Sequence, residues 1–133
     1  MTENVIPAEE ASRLPSAALA YLGDSVLELL VREHLVCGGV KNPSVASLAY
    51  VTAPAQSDAL ERIAPLLTEE EDAVFHRGRN GVHGGVPRRA TPAQYRRATG
   101  LEALFGYLYL SGQNARLREL FRIGFRNDQM SDS

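Results

Sequence analysis

Two carboxylates stand where the surrounding sequence is apolar. Asp24 lies in YLGDSVLEL and Glu102 in GLEALFGYL, each within a stretch whose leucines and valines repeat at helical spacing. An ionised carboxylate in such a setting is costly unless a cation, a hydrogen bond or a metal compensates it. Glycines flank both acids, Gly23 beside Asp24 and Gly106 one turn beyond Glu102, and a missing side chain there lets helices or a ligand approach closely. Carboxylates converging from two helices suit Mg²⁺, which takes oxygen ligands and keeps several waters. Such an ion serves phosphodiester hydrolysis by activating water and stabilising phosphoryl charge. Glu28, four residues after Asp24, shares its helix face, and whether it joins the site is left open. Two plainer readings also stay open at this point. Asp24 can cap a helix that starts at Ser25, and Glu102 can pair with Arg96 or Arg97.

Charge is distributed unevenly. The formal net charge is −2, yet between Asp72 and Glu102 no acid occurs, while Arg77, Arg79, Arg88, Arg89, Arg96 and Arg97 do. Averaging hides a local anion-binding segment in an otherwise acidic chain. Arginine forks grip phosphates bidentately, and a glycine-rich backbone can follow a phosphate chain closely. The competing reading is a solvated basic loop facing the acidic part of the same molecule. His76 and His83 lack the spacing of a metal pair and read as surface histidines. Tyr95, Phe105, Tyr107 and Tyr109 read as core or dimer packing, and Cys37 has no partner that would make it a nucleophile.

The elements that must position these residues are helical throughout, with no strict two-residue alternation over strand length. The expected fold class is all-α, in one domain over residues 1–133. The first helix runs from about Pro15 to Val36 and stops at Gly38-Gly39. Ser44 is expected to cap a second helix, VASLAYVT, and Pro54 to break the chain before AQSDALERIA, which Pro65 ends. Thr68 and Glu71 form a capping box opening EEEDAVFHRG. RNGVHGGVPRRA is expected as a loop, Thr91-Pro92 opens AQYRRATGLEALFGYLYL, and a last helix spans about Asn114 to Phe125. The tail beyond, residues 127–133, is expected to be disordered. No apolar run has the length of a membrane span, the acidic start is unlike a signal peptide, and a single cysteine suits a reducing cytosol.

Taken together, these segments resemble a known family. AYLGDSVLELLVREHL is similar to the signature helix of the ribonuclease III family, and LEALFGYLYL to its second acidic helix. EEEDAVFHRGRN and YRRATGLEAL are similar to the mini-ribonuclease III subgroup, and the likeness covers roughly residues 15–125. The resemblance implies the ribonuclease III endonuclease fold, a homodimeric helical bundle of cytoplasmic location. It further implies Mg²⁺-dependent cleavage of double-stranded RNA to 5′-phosphate and 3′-hydroxyl ends. Asp24 falls on the family's essential aspartate and Glu102 on its metal-binding glutamate, so both are the implied catalytic and metal residues. Ala20 and Thr99 stand where full-length members carry two further acids, a reduction expected in the subgroup. With no separate RNA-binding domain expected in a chain of this length, Arg77, Arg79, Asn80, Arg88 and Arg89 are the candidates for gripping RNA. The subgroup also implies maturation of a stem in precursor 23S ribosomal RNA, with the need for a presenting ribosomal protein left open. An inactive, ribosome-associated RNA-binding module on the same fold is the alternative.

Overall fold

In the computed structural model, residues 5–81 and 91–125 are described, and they are helical with no strand among them. The elements are α1 (Ala8–Ser12), α2 (Ser16–Cys37), α3 (Pro43–Ala46), α4 (Leu48–Val51), α5 (Ala53–Ile63), a 3₁₀ turn (Ala64–Leu66), α6 (Glu69–Asn80), α7 (Pro92–Leu110) and α8 (Asn114–Gly124).

α7 is the axis of the domain. Its second half, from Leu101 to Leu108, is apolar on nearly every side apart from Glu102, and Leu101, Ala103, Leu104, Phe105 and Leu108 are fully enclosed. A helix that is apolar all round must be covered all round. α2, α5, α6 and α8 supply that cover, with Leu19, Leu27, Val31, Ile63, Val74 and Leu120 completing the core. On α2 the buried positions Leu19, Gly23, Val26, Leu27, Leu30, Val31 and Leu35 recur at three- and four-residue intervals, so one face turns to α7.

Glycines set how closely these helices meet. A Cβ at Gly23 would lie 1.6 Å from the Glu102 carbonyl oxygen, and one at Gly106 2.1 Å from the Leu19 carbonyl oxygen. Backbone therefore touches backbone where α2 crosses α7. α6 repeats the device: a Cβ at Gly78 would come within 2.7 Å of Ala103 Cβ, and one at Gly100 within 2.6 Å of the Phe75 ring.

The caps read from the sequence are present at two helices. Thr68 accepts from the Glu71 N–H at 3.1 Å while Glu71 accepts from the Thr68 N–H at 2.9 Å. Thr91 and Gln94 form the same reciprocal pair at α7. Elsewhere the expectations need correction. The single helix VASLAYVT is two short ones, α3 and α4, and Asn42, not Ser44, holds the N-cap position, with Pro43 following in the first turn. Pro54 does not break the chain before a helix; it lies in the first turn of α5, which Thr52 caps by accepting from the Ala55 N–H. Proline is accommodated there because first-turn N–H groups have no intrahelical partner. α6 runs on to Asn80, so Arg79 and Asn80 belong to a helix and not to the loop. The short α1 has no counterpart among the expected helices; Ala11 anchors it in the core, and the Ile6 N–H donates to the Leu110 carbonyl. The glycine-rich stretch 82–90 and the tail lie outside the described residues.

Candidate active site

The α2–α7 crossing decides where the two acids go. Because Gly23 lies against the Glu102 backbone, the next residue of α2, Asp24, projects beside the Glu102 side chain. The two carboxylates line one open cleft of about 310 Å³, together with Ser16, Ala17, Ala20, Tyr21, Gly78, Gly81, Tyr95 and Thr99. Asp24 is well inside α2, nine residues from its N-cap at Pro15, so it is not the cap of a helix starting at Ser25. Nor does Arg97 neutralise Glu102, because its guanidinium is turned to Ser57 Oγ (3.1 Å) and the Glu61 carboxylate (3.5 Å). Among the described residues no ion pair joins Glu102 to Arg96 either, and neither arginine lines the cleft.

Electrostatics mark the site. Burial, followed by the charge of Asp24 and a hydrogen bond with it, pushes the Glu102 carboxyl from the ordinary 4.5 up to about 8, against a smaller opposing hydrogen bond from Gln56. Two carboxyl groups share a cleft, and among the described residues no basic side chain lines it. Among the described residues no third histidine, cysteine or acid completes a cluster able to hold a metal on its own. A divalent ion that keeps most of its waters fits such a pair, because it needs few protein oxygens and relieves their repulsion. Ala20 and Thr99 face the same cleft, so the positions lacking acids border the acids that are present. Glu28 is exposed, pairs with Arg32 at 3.4 Å, and does not line the cleft.

The candidate RNA-binding residues separate. α6 reaches the cleft through Gly78, with Gly81 at its C-cap, and Arg77, Arg79 and Asn80 neighbour these glycines in sequence without lining the cleft. Arg77 is already engaged: its guanidinium donates to the Ser12 carbonyl and ties α6 to the end of α1. Arg79 lies over the Phe75 ring at 5.8 Å, and its Nε donates to Asn80 Oδ1 at 3.2 Å. Arg88, Arg89 and His83 fall outside the described residues. His76 packs on Phe75 and faces Asp72 at 3.4 Å, away from any metal-like grouping. Of the aromatics, Phe105 and Tyr107 are core, Tyr95 lines the cleft and Tyr109 is exposed.

One residue beside the site gave no sequence signal. Gln56 of α5 is 3% exposed, its amide donates to the Val51 carbonyl at 3.1 Å, and it tempers the rise in proton affinity of Glu102. A glutamine in AQSDAL reads as surface, and only the packing of α5 on α7 reveals its position.

Known proteins match this arrangement. The Ribonuclease III domain profile matches residues 17–113, a span that includes Asp24, Glu102 and the glycines of the crossing. The Mini-ribonuclease 3 of Symbiobacterium thermophilum is 47% identical over 112 residues, covering 82% of this chain and 86% of that protein. The Mini-ribonuclease 3 of Brevibacillus brevis is 41% identical over 124 residues, covering 88% and 92%. The crystal structure of protein FN1578 from Fusobacterium nucleatum superposes with a TM-score of 0.75 at 30% identity, covering 84% of this chain and 91% of that one. With its acids and its glycine crossing inside the matched span, the chain belongs to the ribonuclease III family and is a relative of the Mini-ribonuclease 3 proteins.

Proposed function

We propose that this protein is a Mg²⁺-dependent endonuclease for double-stranded RNA, with Asp24 and Glu102 as the metal-holding catalytic pair. The observation that carries the reading is the α2–α7 crossing, which brings two carboxylates together in an open cleft that no basic side chain lines among the described residues. When bound, the ion supplies Lewis-acid chemistry, polarising water and stabilising phosphoryl charge. The remaining work falls to the chain. Asp24 and Glu102 must both be ionised, and their fixed separation orients the incoming water in line with the scissile P–O3′ bond. Water adds to phosphorus, that bond breaks, and the departing 3′ oxygen takes up a proton. The products carry 5′-phosphate and 3′-hydroxyl ends.

A second copy of the chain completes the reading. Tyr21 is 84% exposed, and Leu29 and Val36 continue an apolar stripe along the outward side of α2 next to Asp24. We assign this stripe to a homodimer contact, which places two cleavage sites on the two strands of one duplex. Duplex RNA is recognised by shape, through phosphates and 2′-hydroxyls. Arg79 and Asn80, between the cleft-lining Gly78 and Gly81 in sequence, are the proposed phosphate contacts, with Arg88 and Arg89. The substrate assigned from the family is the paired stem of precursor 23S ribosomal RNA, matured in the cytoplasm. Ala20 and Thr99 in the cleft favour one rival, an inactive RNA-binding module, because two acid positions are vacant there.

Cleavage of a long RNA duplex, with its single strands as controls, tests the proposal in Mg²⁺ and in chelator. Duplex-specific cutting that needs Mg²⁺ and falls at least about a hundredfold in Asp24→Asn supports it, since metal-held phosphoryl chemistry goes with the ligand. A folded protein that binds duplex and never cuts it, on generic duplex or on a precursor ribosomal stem, establishes the rival.

A further inference from the structure

Beside the acid pair, the cleft carries a second kind of polar group. Its other polar side chains are Ser16 and Tyr21 on α2 and Tyr95 and Thr99 on α7, and every one is a hydroxyl. Phosphates draw cations, whereas neutral hydroxyls match a neutral group that hydrogen-bonds. Tyr95 and Thr99 share the Glu102 face of α7, at intervals of four and three residues. At about 1.5 Å per residue, Thr99 stands about 4.5 Å and Tyr95 about 10 Å from Glu102 along the axis. The bonding of Thr99 is defined. Its Oγ1 donates to the Tyr95 carbonyl at 3.0 Å, so its one proton is committed and it offers the cleft lone pairs only. The Tyr95 hydroxyl has no hydrogen-bond partner among the described residues and keeps a proton to donate. The Cβ atoms of such a pair, four residues apart, lie about 6 Å from each other. A group bridging the two must both donate and accept. Elsewhere the cleft is walled by Ala17, Ala20, Gly78 and Gly81, none larger than a methyl, which leaves room for the edge of a sugar.

We infer that Tyr95 and Thr99 read a ribose 2′-hydroxyl next to the scissile phosphate, Tyr95 donating to it and Thr99 accepting from it. The inference rests on the proposed assignment of Asp24 and Glu102 as the cleavage site, and it adds the residues that choose the sugar. A 2′-hydroxyl is donor and acceptor at once, and it is the group that distinguishes RNA from DNA at a single position. It takes no part in the bonds that change, because water supplies the attacking oxygen and the 3′ oxygen departs. Its removal therefore probes recognition and leaves the reacting atoms in place.

The test is cleavage in Mg²⁺ of an RNA duplex with a mapped cut, prepared as a series in which each ribose around the cut is in turn 2′-deoxy. In wild type one position is expected to lower kcat/KM about tenfold, the loss that follows an unmade hydrogen bond. Tyr95→Phe and Thr99→Val each remove one hydroxyl and keep the shape of the side chain. On the all-ribose duplex each should lose about as much, and the 2′-deoxy change that slows wild type should then have little further effect. Thr99→Ser, which retains the hydroxyl, should retain the sensitivity. A penalty at that position undiminished in both variants overturns the inference, as does a wild type that cuts every member of the series equally. Either result leaves the metal reading standing. A wild type that cuts no duplex in Mg²⁺ overturns the nuclease reading and this inference with it. Should one variant fail to fold, the other, read against the same series, decides.

Discussion

The raised proton affinity of Glu102 makes the metal-free protein lose stability as pH rises, and Glu102→Gln should abolish that loss. The carboxyl titrates at 4.5 when unfolded and at about 8 when folded, chiefly because it is buried and also because Asp24 is beside it. A folded-state pKa above the unfolded one means that the folded form binds the proton more tightly. The group's contribution is therefore fully present below about pH 4.5 and is lost progressively until about pH 8. From those two values, linkage costs the fold about 3 kcal/mol more at about pH 8.5 than at about pH 5.5. Water in the open cleft makes this an upper figure. The assay is urea unfolding in chelator at one fixed protein concentration, since the midpoint of any self-associating protein depends on concentration. Wild type should lose up to about 3 kcal/mol more than Glu102→Gln between the two pH values, because the amide cannot ionise. Asp24→Asn should recover part of the difference by removing the neighbouring charge, and Mg²⁺ should recover part of it in wild type. Parallel pH profiles for wild type and Glu102→Gln would refute the reasoning, for Glu102 would then be an ordinary solvated carboxylate.

Other consequences follow from the same structure. Gly23→Ala places a methyl 1.6 Å from the Glu102 carbonyl oxygen and must force α2 and α7 apart. A cost above about 3 kcal/mol is expected in chemical denaturation, whereas Gly39→Ala, with φ +71° and open space around it, should cost about 1 kcal/mol. Arg116 reaches Glu71 at 2.8 Å and 2.9 Å, and also the Leu66 carbonyl and Glu119. Burial pushes the Glu71 carboxyl up, but hydrogen bonds and charge from Arg116 and the Thr68 amide leave it below its ordinary value. Arg116→Met should strand that buried acid and cost about 3–5 kcal/mol, read as a lowered urea midpoint. Arg79→Ala should weaken duplex RNA binding and flatten the plot of log affinity against log salt by about 0.7–0.9 for each phosphate that Arg79 neutralises. Arg77→Ala should instead lower thermal stability, since its guanidinium serves the Ser12 carbonyl; an unchanged melting temperature together with weakened RNA affinity would reverse those two roles.

The parts legible in sequence are those whose physics is local. Capping boxes at Thr68 and Thr91 need only residues three positions apart, and both are formed. Glycine beside an acid in an apolar helix signals a close approach, and Gly23 and Gly106 are where the backbones meet. Short elements are less legible. α1 has five residues and no periodic face, while α3 and α4 together look like one helix until Thr52 is seen to cap the next. Side-chain allegiance is not legible at all. Nothing in RGRN distinguishes Arg77, committed to Ser12, from Arg79 over the Phe75 ring, and nothing in AQSDAL marks Gln56 as buried.

The glycine crossing explains why an acid pair so unfavourable to stability persists in this fold. Were the α2–α7 contact made by leucines, the axes would stand at the ordinary 8–10 Å or so, and the two carboxylates could relax apart into solvent. Backbone contact at Gly23 and Gly106 removes that freedom, because the fully enclosed Leu19, Leu101 and Phe105 are packed around the same crossing. Asp24 is exposed, but Glu102 cannot leave the crossing without opening the core, so the relief open to it is a proton or a cation. Below about pH 8 the proton on Glu102 supplies it, and the ion must displace that proton to bind. Metal binding at about pH 7 should accordingly release nearly one proton per site, as the fraction of a group of pKa about 8 that is protonated there is roughly 0.9. Calorimetric titrations of Mg²⁺ into the protein, in two buffers of different ionisation enthalpy, measure that number directly. A value near zero would mean that Glu102 is already ionised before the metal arrives, and the strain attributed to the crossing would have to lie elsewhere.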